Sequence, residues 1–165
     1  MDSLFEITPV LLKSRGIRAL ILDLDNTLVP RGAETAAPQV IDWLNTMRQE
    51  GFKLCIVSNN SQQKGGVLAH RLGIPGVFRA VKPRGRAFRK ALALLGTAPE
   101  ETAMIGDQLF TDVLGGNRMG LYTILVSPLG GPDFILTRII TRRIEQLFLP
   151  LIRMRRRLLS RESHG

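Results

Sequence analysis

The sequence predicts an α/β fold, a parallel five-stranded sheet between helices, with no domain inserted into it. Short apolar runs of four to six residues recur along the chain, and four of them end in residues that could bind a ligand. Segments with helical periodicity separate these runs, and strict alternation of strand and helix implies parallel pairing through right-handed crossovers. No stretch between two runs is long enough for a second domain, and the chain shows no internal repeat and no low-complexity segment.

Residues 1–16 form a lead-in whose Pro9-Val-Leu-Leu12 can pack on the sheet. Ala19–Leu22 is an unbroken apolar run, which reads as a strand buried on both faces. Asp23 and Asp25 follow it; side chains two apart in a strand share a face, so both carboxylates are predicted to face one point beyond the strand. Val29-Pro-Arg-Gly32 is a turn. Val40, Ile41, Trp43, Leu44 and Met47 make an amphipathic helix, with Pro38 in its first turn and Gly51 at its C-terminal cap. Trp43 reads as core.

Lys53–Val57 is the second strand and ends in Ser58-Asn59-Asn60. A helix over Gln62–Leu72 contains Gly65-Gly66, which weakens it, and His70 falls on its surface. Val77–Val81 reads as the third strand, followed by Lys82-Pro83. Gly85–Leu95 is a basic amphipathic helix with Phe88, Leu92 and Leu95 on one face. Thr102–Ile105 is the fourth strand, ending in Gly106-Asp107. Thr111–Met119 reads as a helix in spite of Gly115-Gly116; each glycine costs about 1 kcal/mol against alanine, so close backbone packing is expected there. Leu121–Val126 is the fifth strand.

The 165 residues suit one domain, predicted over 1–131, plus an appendage over 132–165. Cys55 is the single cysteine, which leaves no disulfide framework, suits a reducing compartment and reads as a small buried hydrophobe. Cysteine-based phosphatase chemistry would need an arginine six residues after it, and Ser61 stands there. Asp2 and Glu6, with no long apolar core beside them, argue against a signal peptide. The net charge is +9, and after Thr137 eight arginines stand against two glutamates, so +6 of it lies in the tail.

Four strand ends thus carry polar groups: Asp23 with Asp25, Ser58 with Asn59, Lys82, and Asp107 with Asp112. In a parallel sheet these ends share one edge, where α/β folds bind ligands. Asp23 and Asp107 suit Mg²⁺, a hard cation bound by one or two carboxylates together with substrate phosphate. Ser58, Asn59 and Lys82 supply hydroxyl, amide and ammonium donors for a phosphate. One carboxylate can attack phosphorus to give an aspartyl-phosphate, and a second can move the protons. Singly, each residue reads as well as a turn or solvated group; together they point to phosphoryl chemistry.

Asp23-Leu-Asp-Asn-Thr-Leu28, Ser58, Lys82-Pro83 and Gly106-Asp107-Gln-Leu-Phe-Thr-Asp112 resemble, in order, the four motifs of the haloacid dehalogenase (HAD) superfamily. Ile105–Asp112, Gly115-Gly-Asn-Arg-Met-Gly120 and Val57-Ser-Asn-Asn60 are similar to the YqeG branch of its subfamily IIIA. The resemblance covers about Leu11 to Val126 and implies a HAD-like Rossmannoid fold without a cap. It implies Asp23 as nucleophile, Asp25 as general acid/base, and Mg²⁺ held by Asp23, the Asp25 carbonyl and Asp107 with Asp112 behind them. Ser58 and Lys82 would hold the phosphoryl group. Aspartate at the second position marks phosphatases rather than dehalogenases, and relatives of this branch include phosphatidylglycerophosphate phosphatases. The Gly65-Gly66 pair departs from the helix formers expected there.

The resulting expectation is a Mg²⁺-dependent phosphomonoester hydrolase whose substrate is an anionic phospholipid such as phosphatidylglycerophosphate, presented at a membrane surface. In the tail, Leu136, Ile140, Ile144, Leu147, Leu151, Met154 and Leu158 form an apolar stripe beside the arginines, interrupted at Pro150. Such a basic amphipathic helix reads as an interfacial anchor, or alternatively as a helix packed on the domain. The expected location is cytoplasmic, peripheral on the membrane if the tail docks. Two other readings stay open: a phosphatase of a soluble metabolite, and a non-enzymatic basic binding module. Nucleic acid is disfavoured because only Phe148 interrupts the tail's later half with an aromatic ring.

Overall fold

A computed structural model describes residues 1–129. The predicted domain boundary at residue 131 and the whole of the 132–165 tail, with its stripe and Pro150, lie outside the described residues. Five strands, β1 (Ala19–Leu22), β2 (Lys53–Val57), β3 (Gly76–Val77), β4 (Thr102–Gly106) and β5 (Tyr122–Leu125), form one sheet in the order β3-β2-β1-β4-β5. Every pairing is parallel. The chain winds outward from β1 in one direction and then from β4 in the other. The crevice beyond the carboxyl ends of β1 and β4 is therefore the topological switch point.

Alternation along the strands divides the core. Leu20, Leu22, Leu54, Ile56, Ala103 and Ile105 pack on one face with α2 (Pro38–Gln49), α3 (Gln62–Arg71) and the lead-in. Ala19, Ile21, Cys55, Val57 and Met104 pack on the other with α4 (Gly85–Leu95). The lead-in includes the short helix α1 (Pro9–Ser14), capped by Thr8, and buries Leu4, Ile7 and Leu12. Trp43 is core as predicted, and its indole N–H donates to the Ile7 carbonyl at 2.9 Å. Cys55 is fully buried, and burial pushes its thiol up to about 12, so it is no nucleophile at neutral pH.

Most predicted elements match within a residue or two; β3 does not. The sequence predicts a strand over Val77–Val81, yet the ladder ends at Val77. The Arg79 and Ala80 amides donate to the carbonyls of Asn60 and Ser58, and Arg79 and Val81 take φ of +50° and +52°. The reason is positional. The β3 strand lies at the sheet edge, two strands and so roughly 10 Å from β1. Lys82 reaches the end of β1 only if the chain turns inward across β2.

The predicted 111–119 helix also begins differently. Leu109–Val113 forms a wide turn in which the Val113 amide donates to the Gln108 carbonyl, and it runs into α5 (Leu114–Arg118). Such widened turns recur at functional sites. The expected close packing at Gly115 is present: a Cβ there would stand 2.6 Å from the Phe88 ring. Gly65 in α3 has the same explanation, with Phe78 2.6 Å from the place of its missing Cβ.

Candidate active site

The site is assembled from the loops that follow four of the strands. After β1 the chain makes one tight turn over 24–29, in which the Leu28 and Val29 amides donate to the Leu24 carbonyl. Asn26 takes φ +59° within it, a conformation that a short amide side chain tolerates. This turn sends Asp23 inward and leaves Asp25 half-buried. After β2, the Ser58 hydroxyl accepts the Asn60 amide at 3.1 Å. After β3, the inward loop delivers Lys82. After β4, Gly106 gives way to Asp107, and the wide turn returns Asp112 beneath it. A Cβ at Gly106 would collide with the Asp112 carboxylate, so only glycine lets that carboxylate lie there.

Lys82 is the centre of this cluster. Its ammonium donates to Asp23 Oδ1 at 2.5 Å and to Asp112 Oδ1 at 2.6 Å, and its side chain is 2% exposed. An ammonium has three protons, so one remains beyond these two bonds. Asp112 Oδ2 accepts the Gln108 amide at 3.2 Å, which fixes the carboxylate at both ends. Asp107 receives the Asn26 and Thr27 side chains. Asp23, Asp107 and Asp112 each place a carboxylate oxygen within 4.8 Å of the others, all three buried. Asp23 Oδ2 is buried and has no hydrogen-bond partner among the described residues. A hard divalent cation wants oxygen ligands of this kind, so the residues fit Mg²⁺ or a similar ion.

Three carboxylates around one ammonium leave negative charge in excess. Burial, reinforced by Asp112 and only partly offset by Lys82, pushes Asp23 up to about 6. Burial and then the neighbouring Asp23 push Asp107 up to about 6. Asp112 is also raised, by burial first. Burial alone would lower Lys82, but the two carboxylates outweigh it and hold the ammonium charged. Between about pH 4 and pH 6 the folded protein thus binds protons that the unfolded chain does not, and stability rises as pH falls through that window. With EDTA present, the protein is expected to melt higher near pH 5 than near pH 7, by roughly 2–4 °C per kcal/mol gained. The gap should shrink in Asp107→Asn. Calorimetric melts of both proteins check this, and an unchanged gap would mean the protons go elsewhere.

The structure gathers Asp23, Lys82, Asp107 and Asp112 into one buried cluster, and Ser58 is buried at the end of the neighbouring strand β2. Asp25 follows the end of β1 and is half-buried. The strand ends at Leu22, so the period-two argument does not carry to residue 25. Asp25 Oδ2 instead accepts the Asn60 amide nitrogen at 2.7 Å. The carboxylates crowding Asp23 are those of Asp107 and Asp112. Asn59 is exposed, and its side-chain carbonyl accepts the Lys82 backbone N–H at 2.8 Å, tying the two loops together. Sequence reasoning gave no role to Asn26, Thr27 or Asn60. Their signal was only adjacency to the strand-end aspartates and serine.

The comparisons with known proteins agree with this geometry. Residues 30–120 match the haloacid dehalogenase-like hydrolase family. The probable phosphatase YqeG of Bacillus subtilis is 42% identical over 93% of this chain and 88% of its own length. The chloroplastic phosphatidylglycerophosphate phosphatase 1 of Chlamydomonas reinhardtii is 30% identical over 84% of this chain, which spans 55% of that protein. A crystal structure of an uncharacterized protein from Listeria monocytogenes serotype 4b shares the fold, with TM-score 0.58, 21% identity and coverage of 70% of this chain and 84% of the other. With a family match over more than half the chain and a relative aligned along almost all of it, this protein belongs to the haloacid dehalogenase-like hydrolases, among the YqeG-type phosphatases.

Proposed function

We propose that the protein is a Mg²⁺-dependent phosphomonoester hydrolase working through an aspartyl-phosphate, and that its substrate is phosphatidylglycerophosphate or a similar anionic phospholipid at a membrane surface. The observation that carries the chemistry is the unpartnered Asp23 Oδ2, buried among two further carboxylates while Oδ1 is held by Lys82. Asp23, Asp107 and the backbone of Asp25 would hold the ion, which supplies charge neutralisation for the incoming phosphate dianion.

In this reading Asp23 attacks phosphorus and the bond to the alcohol oxygen breaks. Asp25, oriented by Asn60, gives that oxygen its proton. The resulting carboxylate then takes a proton from water, which attacks phosphorus, releases phosphate and restores Asp23. Lys82 and the Ser58 hydroxyl hold the phosphoryl oxygens, with the third ammonium proton of Lys82 turned to that task. Asn59 keeps Lys82 in place through its backbone.

The lipid assignment rests on the resemblance to the chloroplastic phosphatase, on the absence, among the described residues, of a domain inserted over the site, and on the eight arginines that accompany the apolar pattern of the tail sequence. Each arginine near an anionic leaflet contributes on the order of 1 kcal/mol. Among the described residues no helix is long and apolar enough to cross a membrane. Phosphate release from vesicle-borne phosphatidylglycerophosphate tests the whole reading. Turnover is expected with Mg²⁺, is lost in EDTA, and falls on vesicles but not on a soluble ester when the chain is cut after Gly131. Equal loss on both substrates would make the tail structural; turnover insensitive to EDTA would remove the metal.

A further inference from the structure

A groove of about 450 Å³ begins at Asp25 and Asn60 and runs along α3 to Arg71. This is within the volume range of small-molecule sites. One wall is the loop after β1, with Leu24, Val29 and Ala33; the other is α3, with Lys64, Val67 and Leu68. The lining is thus apolar along the middle and charged at defined points. Asp25 and its hydrogen-bond partner Asn60 mark the end nearest the reacting phosphate, so a leaving group expelled there has this groove as its bed.

Two cations line the α3 wall. Lys64 lies in the first turn of α3, and Arg71 about 10 Å further along its axis. No salt bridge claims Lys64 among the described residues. Arg71 donates through Nη1 to the Glu34 carbonyl at 3.1 Å, which uses one of its five donors and fixes the guanidinium at the far end. Glu34 shares that end and offsets part of the Arg71 charge. The stronger anion contact therefore falls to Lys64, which lines the same groove as the acid/base.

We propose that this groove is a leaving-group subsite in which Lys64, assisted by Arg71, binds a second anionic group of the substrate, a phosphodiester on the alcohol that carries the scissile phosphate. The proposal rests on the phosphatase reading and adds to it a specificity determinant: alcohols with an internal phosphodiester are preferred over plain ones. The contact lies outside the reacting atoms, so it acts on binding and leaves the chemical step alone.

The test uses two soluble esters, which removes any membrane contribution: glycerol 3-phosphate, and a phosphorylated glycerol whose other end carries a glycerophosphodiester. The full-length protein is expected to favour the second. Lys64→Gln should lower the ratio of kcat/KM between them roughly tenfold through KM, the range of a charge-assisted hydrogen bond, and Arg71→Gln should lower it less. Lys64→Arg should keep most of the preference. Both side chains are exposed, so folding is not at stake. No preference in the wild type, or an unchanged ratio in Lys64→Gln, overturns the subsite. Binding of the phosphodiester-bearing ester to Asp23→Asn, measured by calorimetry with and without Lys64→Gln, needs no turnover. If the wild type hydrolyses neither these esters nor vesicle-borne phosphatidylglycerophosphate, the phosphatase reading fails, and this binding comparison still decides the subsite: unchanged affinity overturns it.

Discussion

Asp23→Asn is expected to lower phosphate release more than a hundredfold and to leave the domain folded. An amide oxygen can accept the Lys82 hydrogen bond that Asp23 Oδ1 accepts at 2.5 Å, so the frame around residue 23 survives the change. What the amide cannot do is form the acyl-phosphate bond that the covalent route requires. The same change removes one of three buried carboxylates that lie within 4.8 Å of one another. The metal-free variant is therefore expected to melt no lower than wild type, and higher near neutral pH, where the carboxylates repel each other most. Phosphate release and thermal melts on the same preparations check both halves. General acid/base groups alone give about 10²–10⁴-fold, so retained turnover above about a hundredth of wild type would sink the covalent mechanism. A variant that fails to melt cooperatively would show that Asp23 is structural instead.

The centre of the sheet was legible because its strands are buried on both faces. Ala19–Leu22 and Lys53–Val57 read directly as apolar runs, and their bounds match. The helices were legible from periodicity and caps, as in α4 over Gly85–Leu95. The chemistry-bearing residues were legible because parallel strands deliver their ends to one edge. Loop geometry was not. Nothing in Val77–Val81 announces that the chain leaves the edge strand after two residues; the turn follows from hydrogen bonds to Ser58 and Asn60 on a neighbouring loop. The hydrogen bond between Asn60 and Asp25 was illegible for a related reason, since it joins loops that follow different strands. Gly65 looked like a helix weakness because the Phe78 ring that needs its space comes from a different element. The pairing of Lys82 with both Asp23 and Asp112 joins residues 59 and 30 positions apart, a distance at which sequence pattern carries no contact information.

That pairing yields the largest expected stability effect. Lys82→Met keeps the length of the side chain and removes the charge, so the cavity left is small and the loss is electrostatic. The ammonium is the cation bonded to Asp23 and Asp112, and its side chain is 2% exposed. Taking one partner out of a buried ion cluster costs about 3–5 kcal/mol, because the remaining charges keep their desolvation penalty without its compensation. Asp23, Asp107 and Asp112 would then face one another with no ammonium between them. Without metal, Lys82→Met is expected to melt roughly 10 °C below wild type near pH 7. The deficit should narrow near pH 5, where the carboxylates can take up protons in place of the lost cation. Mg²⁺ should also narrow it, since an ion bound to the folded carboxylates stabilises by mass action and finds more negative charge in the variant than in wild type. Asp112→Asn added to Lys82→Met should recover part of the loss, as the crowding falls by one charge. Melting curves over pH and Mg²⁺ concentration separate these terms. A loss under about 1 kcal/mol, indifferent to pH and to Mg²⁺, would show that the cluster is neutralised by its own protons and that Lys82 serves the phosphoryl group alone.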